Sequence, residues 1–237
     1  MSEIRESMSA EELLAAALAE FHPRIALAAS FGAEDVVIVD MLMRLEPRAR
    51  IFTLDTGRLP AETYALVDAI RDRYACRIEV YFPDAPAVEA MVSEHGVNLF
   101  YSSVEHRKLC CGVRKVEPLG RALDGLAAWI TGLRRDQAVT RTDVAKVEVD
   151  RAHGSILKLN PLADWSWEDV WGYIYAHDVP YNALHDQGYP SIGCTPCTRA
   201  VKPGEDQRAG RWWWETPETK ECGLHLPTAP ESGKRGA

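Results

Sequence analysis

The sequence predicts an α/β protein: a mostly parallel, twisted sheet with helices on both faces, followed by a C-terminal tail of different character. Three observations lead there. Short apolar runs alternate with longer helix-periodic segments along most of the chain, which is the pattern of strands joined by helical crossovers. The chain has 237 residues, enough for one large domain or one domain with an appendage. From residue 198 on, Gly, Pro, Thr and charge dominate apart from one Trp run, which reads as a mobile tail that can dock rather than a second domain. The expected division is therefore 1–197 and 198–237.

The elements follow in order. Ser9-Ala-Glu-Glu12 is a capping box, and LLAAALAEF after it is strongly helical. RIALAAS (24–30) is a short apolar run ending in small residues, so it reads as a buried strand. EDVVIVDMLMRL (34–45) has helical length and spacing, and RIFTLDT (50–56) is a second strand. Pro60 suits the first turn of a helix running to about Tyr74. RIEVYFP (77–83) alternates with period two, and DAPAVEAMVSEHG (84–96) is a helix closed by Gly96. AAWITGL (127–133) and ILKLNPL (156–162) are further strands, with a polar stretch of no clear period between them. Ser166-Trp-Glu-Asp169 caps a last helix, EDVWGYIYAH.

Composition narrows the class. With 46% hydrophobic and 26% charged residues, disorder over most of the chain is excluded. No run of 18 apolar residues occurs, and the polar, acidic start MSEIRESMSAEELL has no apolar core of a leader. A cytoplasmic protein with no membrane partner is expected. The net charge of −8 argues against binding along a nucleic-acid backbone, while leaving room for a local basic pocket. In a reducing compartment, the six cysteines point to metal binding or thiol chemistry rather than disulfides.

Cysteine spacing is the strongest chemical signal. Cys110 and Cys111 are adjacent, and Cys194-Thr-Pro-Cys197 is a Cys-x-x-Cys pair far downstream. Two close thiolate pairs can surround a tetrahedral zinc or a cubane cluster. Adjacent cysteines reach one ion poorly and different irons of a larger cluster more easily, so [4Fe–4S] is favoured, with zinc or unligated redox thiols as alternatives. Cys76 reads as a buried small hydrophobe. Cys222, in Lys220-Glu-Cys-Gly-Leu-His225, is either an incidental tail thiol or a nucleophile whose pKa a nearby cation lowers.

Other polar clusters fall at the carboxyl ends of the expected strands, where such sheets bind ligands. Ser30-Phe-Gly-Ala-Glu-Asp35 is a strand-to-helix turn that could also cradle an anion. Leu54-Asp-Thr-Gly57 could hold an adenine or ribose edge. Arg134 and Arg135 suit a multiply charged anion, or are solvated surface residues. Lys115, Arg208 and Arg211 add positive charge. Trp212-Trp213-Trp214 is either a helix packed on the core or a docking surface for a partner.

SFGAED, LDTGRLP, KLCCGVRKVEPL, TGLRRDQ, LNPLADWSWEDVWGYI, GYPSIGCTPCTRAV, GRWWWE and KECGLH, in this order, resemble the assimilatory adenylyl-sulfate (APS) reductases over about residues 24–227. That family is related to the phosphoadenylyl-sulfate (PAPS) reductases, and its fold is the adenine-nucleotide alpha-hydrolase-like fold of PP-loop ATP pyrophosphatases. The resemblance implies that Cys110, Cys111, Cys194 and Cys197 ligate a [4Fe–4S] cluster and that Cys222 is the nucleophile. It implies a nucleotide site formed by Ser30, Gly32, Leu54, Thr56, Gly57, Lys115, Arg134, Arg135 and Arg141, closed from the tail by Arg208 and Arg211. The implied reaction is reduction of APS to sulfite and AMP through an S-sulfocysteine, with thioredoxin or a similar dithiol as reductant, in sulfate assimilation and cysteine biosynthesis. A homo-oligomer is compatible with this reading. SFGAED departs from the pyrophosphatase pattern SGGxDS, which disfavours ATP hydrolysis. The competing expectations are a PAPS or dual reductase, an ATP-dependent PP-loop enzyme, and a zinc-binding module without activity.

Overall fold

Ser9 starts the first helix as the sequence predicts: its Oγ accepts from the Glu12 amide at 3.3 Å, and the Glu12 carboxylate accepts from the Ser9 amide at 2.9 Å. The computed structural model describes residues 4–138, 141–216, 220, 223 and 224. Helix α1 (Ala10–Phe21) leads to β1 (Ile25–Ala28), α2 (Ala33–Leu45), β2 (Arg50–Leu54), α3 (Ala61–Tyr74), β3 (Ile78–Tyr81) and α4 (Ala85–His95). Then come α5 (Val104–Cys111), α6 (Glu117–Leu123), β4 (Ala128–Ile130), β5 (Val147–Asp150), β6 (Ile156–Leu159) and α7 (Trp167–Ala176).

The six strands form one sheet in the order β3-β2-β1-β4-β6-β5. All neighbours are parallel except β5 and β6. Side-chain alternation divides the strands between two apolar layers. Ile25 and Leu27 of β1, Ile51 of β2 and Ile130 of β4 pack with α1, α2, α3 and α7 on one face. Ala26, Phe52 and Trp129, their neighbours in sequence, pack with Leu119, Ala122 and Leu123 of α6 on the other. Helices on both faces are thus as expected.

Two regions were not legible. The polar stretch after β4 contains β5, an antiparallel edge strand whose Glu148 lies directly opposite Lys158 of β6 and pairs with it at 2.8 Å. Glu6 holds its start, accepting from the Lys146 and Val147 amides at 3.0 and 3.2 Å. The second region is α5–α6, which no periodicity announced. A π-helical turn, Gly112–Val116, joins the two helices, so side chains there do not follow a 3.6-residue repeat.

Residues 198–216 lie against this body. Thr198 pairs with Arg211 in an isolated antiparallel bridge, and Trp212 is 2% exposed. The Trp run packs as a turn, not as a helix. No helix among the described residues is long and apolar enough to cross a membrane.

Leu27, on the central strand, is fully buried. Leu27→Ala should cost about 3 kcal/mol of stability, read as a lower urea midpoint at unchanged slope. An unchanged midpoint would contradict its place in the core.

Candidate functional site

The strand order reverses at β1: β2 and β3 lie to one side of it, β4, β6 and β5 to the other. The loops leaving β1 and β4 therefore diverge, and a crevice opens between them. It is a cavity of ≈ 190 Å³ whose walls include Ser30, Gly32, Leu54, Trp129, Gly132 and Gln137. Gly132 is required by close approach, since a Cβ there would collide with Asp35 Oδ1 and Glu34 Cβ. Lys115, Arg141, Arg208 and Arg211 contribute four cations to the same wall. Glu34 and Asp35 are its two carboxylates, and Glu34 is held by Arg134 at 2.9 Å. Phe52, Leu119, Trp129 and Leu224 add an apolar side, which suits a flat aromatic ring beside a charged group.

Asp35 organises the first loop. Its Oδ2 accepts from the Ser30 amide at 2.6 Å and from Ser30 Oγ at 2.8 Å. Burial pushes its carboxyl up to about 6, with the Ser30 hydrogen bonds opposing and the Glu34 charge adding to the rise.

A second, smaller cavity of ≈ 20 Å³ adjoins the first and shares Lys115, Arg211 and Trp212 with it. Cys110, Cys111, Cys194 and Cys197 all line it, all as free thiols. Burial pushes the Cys197 thiol up to about 12, helped by the neighbouring Cys194 and Cys111, and raises Cys110 as well. The other lining residues are Arg58, Arg107, Arg114, Lys115, Arg211, Phe100, Pro196 and Trp212. Five are cations, and no described lining residue is a carboxylate. Arg114 Nε, Arg211 Nε and Trp212 Nε1 are buried donors with no hydrogen-bond partner among the described residues. Such a shell suits an anionic group with acceptor atoms far better than four neutral thiols. Among the described residues, no three His, Cys, Asp or Glu side chains are arranged around one metal ion.

The residues singled out in the sequence divide between places. Ser30, Gly32, Leu54, Lys115, Arg141, Arg208 and Arg211 line the larger cavity. Thr56 and Gly57 lie on the cysteine side: the Thr56 hydroxyl is 3.3 Å from Cys194 Sγ, and Gly57, at φ +70°, lies beside the Arg114 guanidinium. Arg134 does not line the cavity. It is fully buried, donates to Glu34 and to the Trp165 carbonyl, and lies over the Trp167 ring. Arg135 also points away, to Glu6 at 2.8 Å and the Val144 carbonyl at 2.8 Å. Cys222 lies outside the described residues. Sequence reasoning missed Arg58, Arg107 and Arg114. The available signal was their position, since each directly follows or flanks a motif already noticed.

The phosphoadenosine phosphosulfate reductase domain family matches residues 24–200. An adenosine 5'-phosphosulfate reductase of Burkholderia cepacia is 52% identical over 229 residues, covering 95% of this chain and 91% of its own. One from Allochromatium vinosum is 57% identical over 201 residues, covering 85% and 78% respectively. Among solved structures, the phosphate complex of the Candida auris phosphoadenylyl-sulfate (PAPS) reductase superposes with a TM-score of 0.69 at 32% identity, covering 82% of this chain and 91% of that one.

The raised Asp35 carboxyl makes stability pH-dependent. Between the unfolded value of 3.8 and the folded value of about 6, the folded state holds more protons than the unfolded. Stability from this group is fully present below pH 4 and declines as pH rises through 6, by on the order of 3 kcal/mol. Asp35→Asn should flatten that part of the stability–pH curve measured by urea titration. An unaltered curve would contradict the assignment.

Proposed function

The chain belongs to the phosphoadenosine phosphosulfate reductase family, and from that premise we propose that it reduces adenylyl sulfate to sulfite and AMP in assimilatory sulfate reduction, feeding cysteine biosynthesis. The observation that carries the reading is the pair of adjoining cavities. One is an apolar and cationic crevice at the strand reversal, the other a four-cysteine chamber, and Lys115, Arg211 and Trp212 belong to both. A sulfonucleotide needs just such a crevice: an apolar slot for the base and cations for the phosphate and sulfonate.

In this reading Cys110, Cys111, Cys194 and Cys197 would hold a [4Fe–4S] cluster, whose negative charge Arg58, Arg114, Lys115 and Arg211 would offset. When bound, the cluster supplies a fixed scaffold and a concentrated negative charge. Both electrons of the reaction come from a dithiol protein, thioredoxin or one like it. Cys222 is the nucleophile. Its thiolate attacks the sulfonate sulfur of the substrate, forming an S–S bond while the bridging S–O bond breaks and AMP leaves with the electron pair. The S-sulfocysteine is then attacked at Cys222 Sγ by a partner thiolate, which expels sulfite and forms a mixed disulfide. The second partner thiol resolves that disulfide and regenerates the Cys222 thiolate. Lys115, Arg141, Arg208 and Arg211 offset the repulsion between thiolate and substrate and stabilise charge on the departing phosphate.

The division into a 1–197 domain and a 198–237 appendage carrying Cys222 belongs to the same proposal, as does action in the cytosol. An ATP-dependent PP-loop reaction is disfavoured on chemistry. The loop after β1 offers one glycine, and its Ser30 amide and hydroxyl are already committed to Asp35.

Two measurements test the reading. Anaerobic mixing with APS and no reductant should add one SO₃ unit to the intact mass of the wild type and none to Cys222→Ser, and reduced thioredoxin should remove it. A gain with PAPS alone would keep the mechanism and change the substrate. No gain with either, on protein with intact visible absorption, would overturn the reductase assignment. Lys115→Ala should slow S-sulfonation by about tenfold or more and weaken AMP binding. Unchanged rate and affinity would remove Lys115 from the electrostatic role.

A further inference from the structure

Arg107 and Glu215 form the most deeply buried ion pair among the described residues, with side chains 0% and 1% exposed. Arg107 Nε donates to Glu215 Oε1 at 2.8 Å and Nη2 to Oε2 at 2.7 Å. Such a fork-to-fork pair fixes relative orientation as well as distance. Its two ends belong to parts of the chain with different tasks. Arg107 is on α5, one turn before Cys110, and its guanidinium also reaches Cys111. Glu215 ends the stretch that bears Arg208 and Arg211, both on the wall of the larger cavity.

The residues between need an external hold. Trp212 has φ +38°, a conformation rare for a bulky side chain, which persists only where the surroundings impose it. Its amide donates to the Cys197 carbonyl at 3.1 Å, and the Glu215 amide donates back to the Trp212 carbonyl at 2.8 Å. The Arg107 and Arg211 guanidinium carbons both approach the Trp212 ring, each 4.7 Å from its centroid. The Arg211 guanidinium in turn lies over Gly193, where a Cβ would displace it. The indole thus stands in contact with the latch on one hand and with a cavity cation on the other. A buried ion pair is a costly way to gain stability alone, because apolar residues of similar volume serve as well or better. What the pair adds is angular register.

We propose that the Arg107–Glu215 pair is a positioning latch: it registers the 208–216 segment on the cysteine-bearing helix and so sets Arg211, through Trp212, at the wall of the nucleotide cavity. The consequence for ligand rests on the proposed reading of that cavity. The consequence for the segment does not.

The test uses the full-length, cluster-loaded protein, with AMP as the probe. Glu215→Gln keeps the shape and removes the charge. It should raise the AMP dissociation constant by about tenfold and speed hydrogen exchange in peptides covering 208–216, with visible absorbance per chain unchanged. The double variant Arg107→Met/Glu215→Met keeps the site filled without a charge left unpaired. It should melt near the wild-type temperature while AMP binding stays weak, since an apolar pair fixes no angle. Restoration of both melting temperature and AMP affinity in the double variant would reduce the pair to packing and overturn the proposal. So would wild-type exchange in 208–216 for Glu215→Gln, whether or not AMP binds. If the wild type itself fails to bind AMP while Glu215→Gln still shows faster exchange, the reading of the cavity falls and the latch stands. Should Glu215→Gln not fold, the double variant decides through the same two readouts.

Discussion

Buried positive charge has to be answered, and this protein buries a good deal of it. Arg107 and Arg134 are completely enclosed, and Arg211 is only 7% exposed. An enclosed guanidinium without a counter-charge or acceptors costs several kcal/mol, so each must sit where something answers it. Arg134 meets Glu34 at the base of the crevice, and Arg107 meets Glu215 beside the cysteines. Arg114 and Arg211 carry donors that no described protein group answers. Carboxylates therefore neutralise Arg107 and Arg134, while Arg114 and Arg211 at the cavities keep donors for an anion from outside. A chain of net charge −8 thereby builds a basic site without a basic surface.

This division explains why two arginines adjacent in sequence differ from others nearby. Arg134 and Arg135 begin the loop after β4, in the region where strands of such sheets present ligand groups. Yet one turns inward to anchor α2 through Glu34 and the other outward to Glu6. The cations that reach the crevice come from farther away: the π turn after α5, the loop before β5, and the segment after Cys197. The crevice is assembled from distant parts of the chain, so its integrity depends on contacts that register those parts on each other. The π turn serves this end locally, because its wider spacing lets Lys115 reach both cavities shortly after two consecutive cysteines.

Elements with a strong local signal were legible. Capping boxes at Ser9 and Ser166 announced α1 and α7, and short apolar runs announced the core strands. β5 was missed because VEVD is an exposed edge strand, recognisable only through its partner β6. α5 and α6 were missed because their charged surface and the intervening π turn break the 3.6-residue repeat. Among site residues, the four cysteines and the Ser30 loop stood out by spacing and composition. Arg107 and Glu215, 108 positions apart, did not, because neither sits in a pattern that points at the other.

The sequence by itself determined the class of chain, the alternation that builds the sheet and the four-cysteine set. These follow from local periodicity and from residue types whose spacing carries meaning. Only the tertiary structure decided which arginines face the crevice and which are committed to carboxylates, that Thr56 lies beside the cysteines rather than in the larger cavity, and that one indole lines both cavities. The reason is physical. A side chain's charge is written in the sequence, but the partner that neutralises it is chosen by proximity in space.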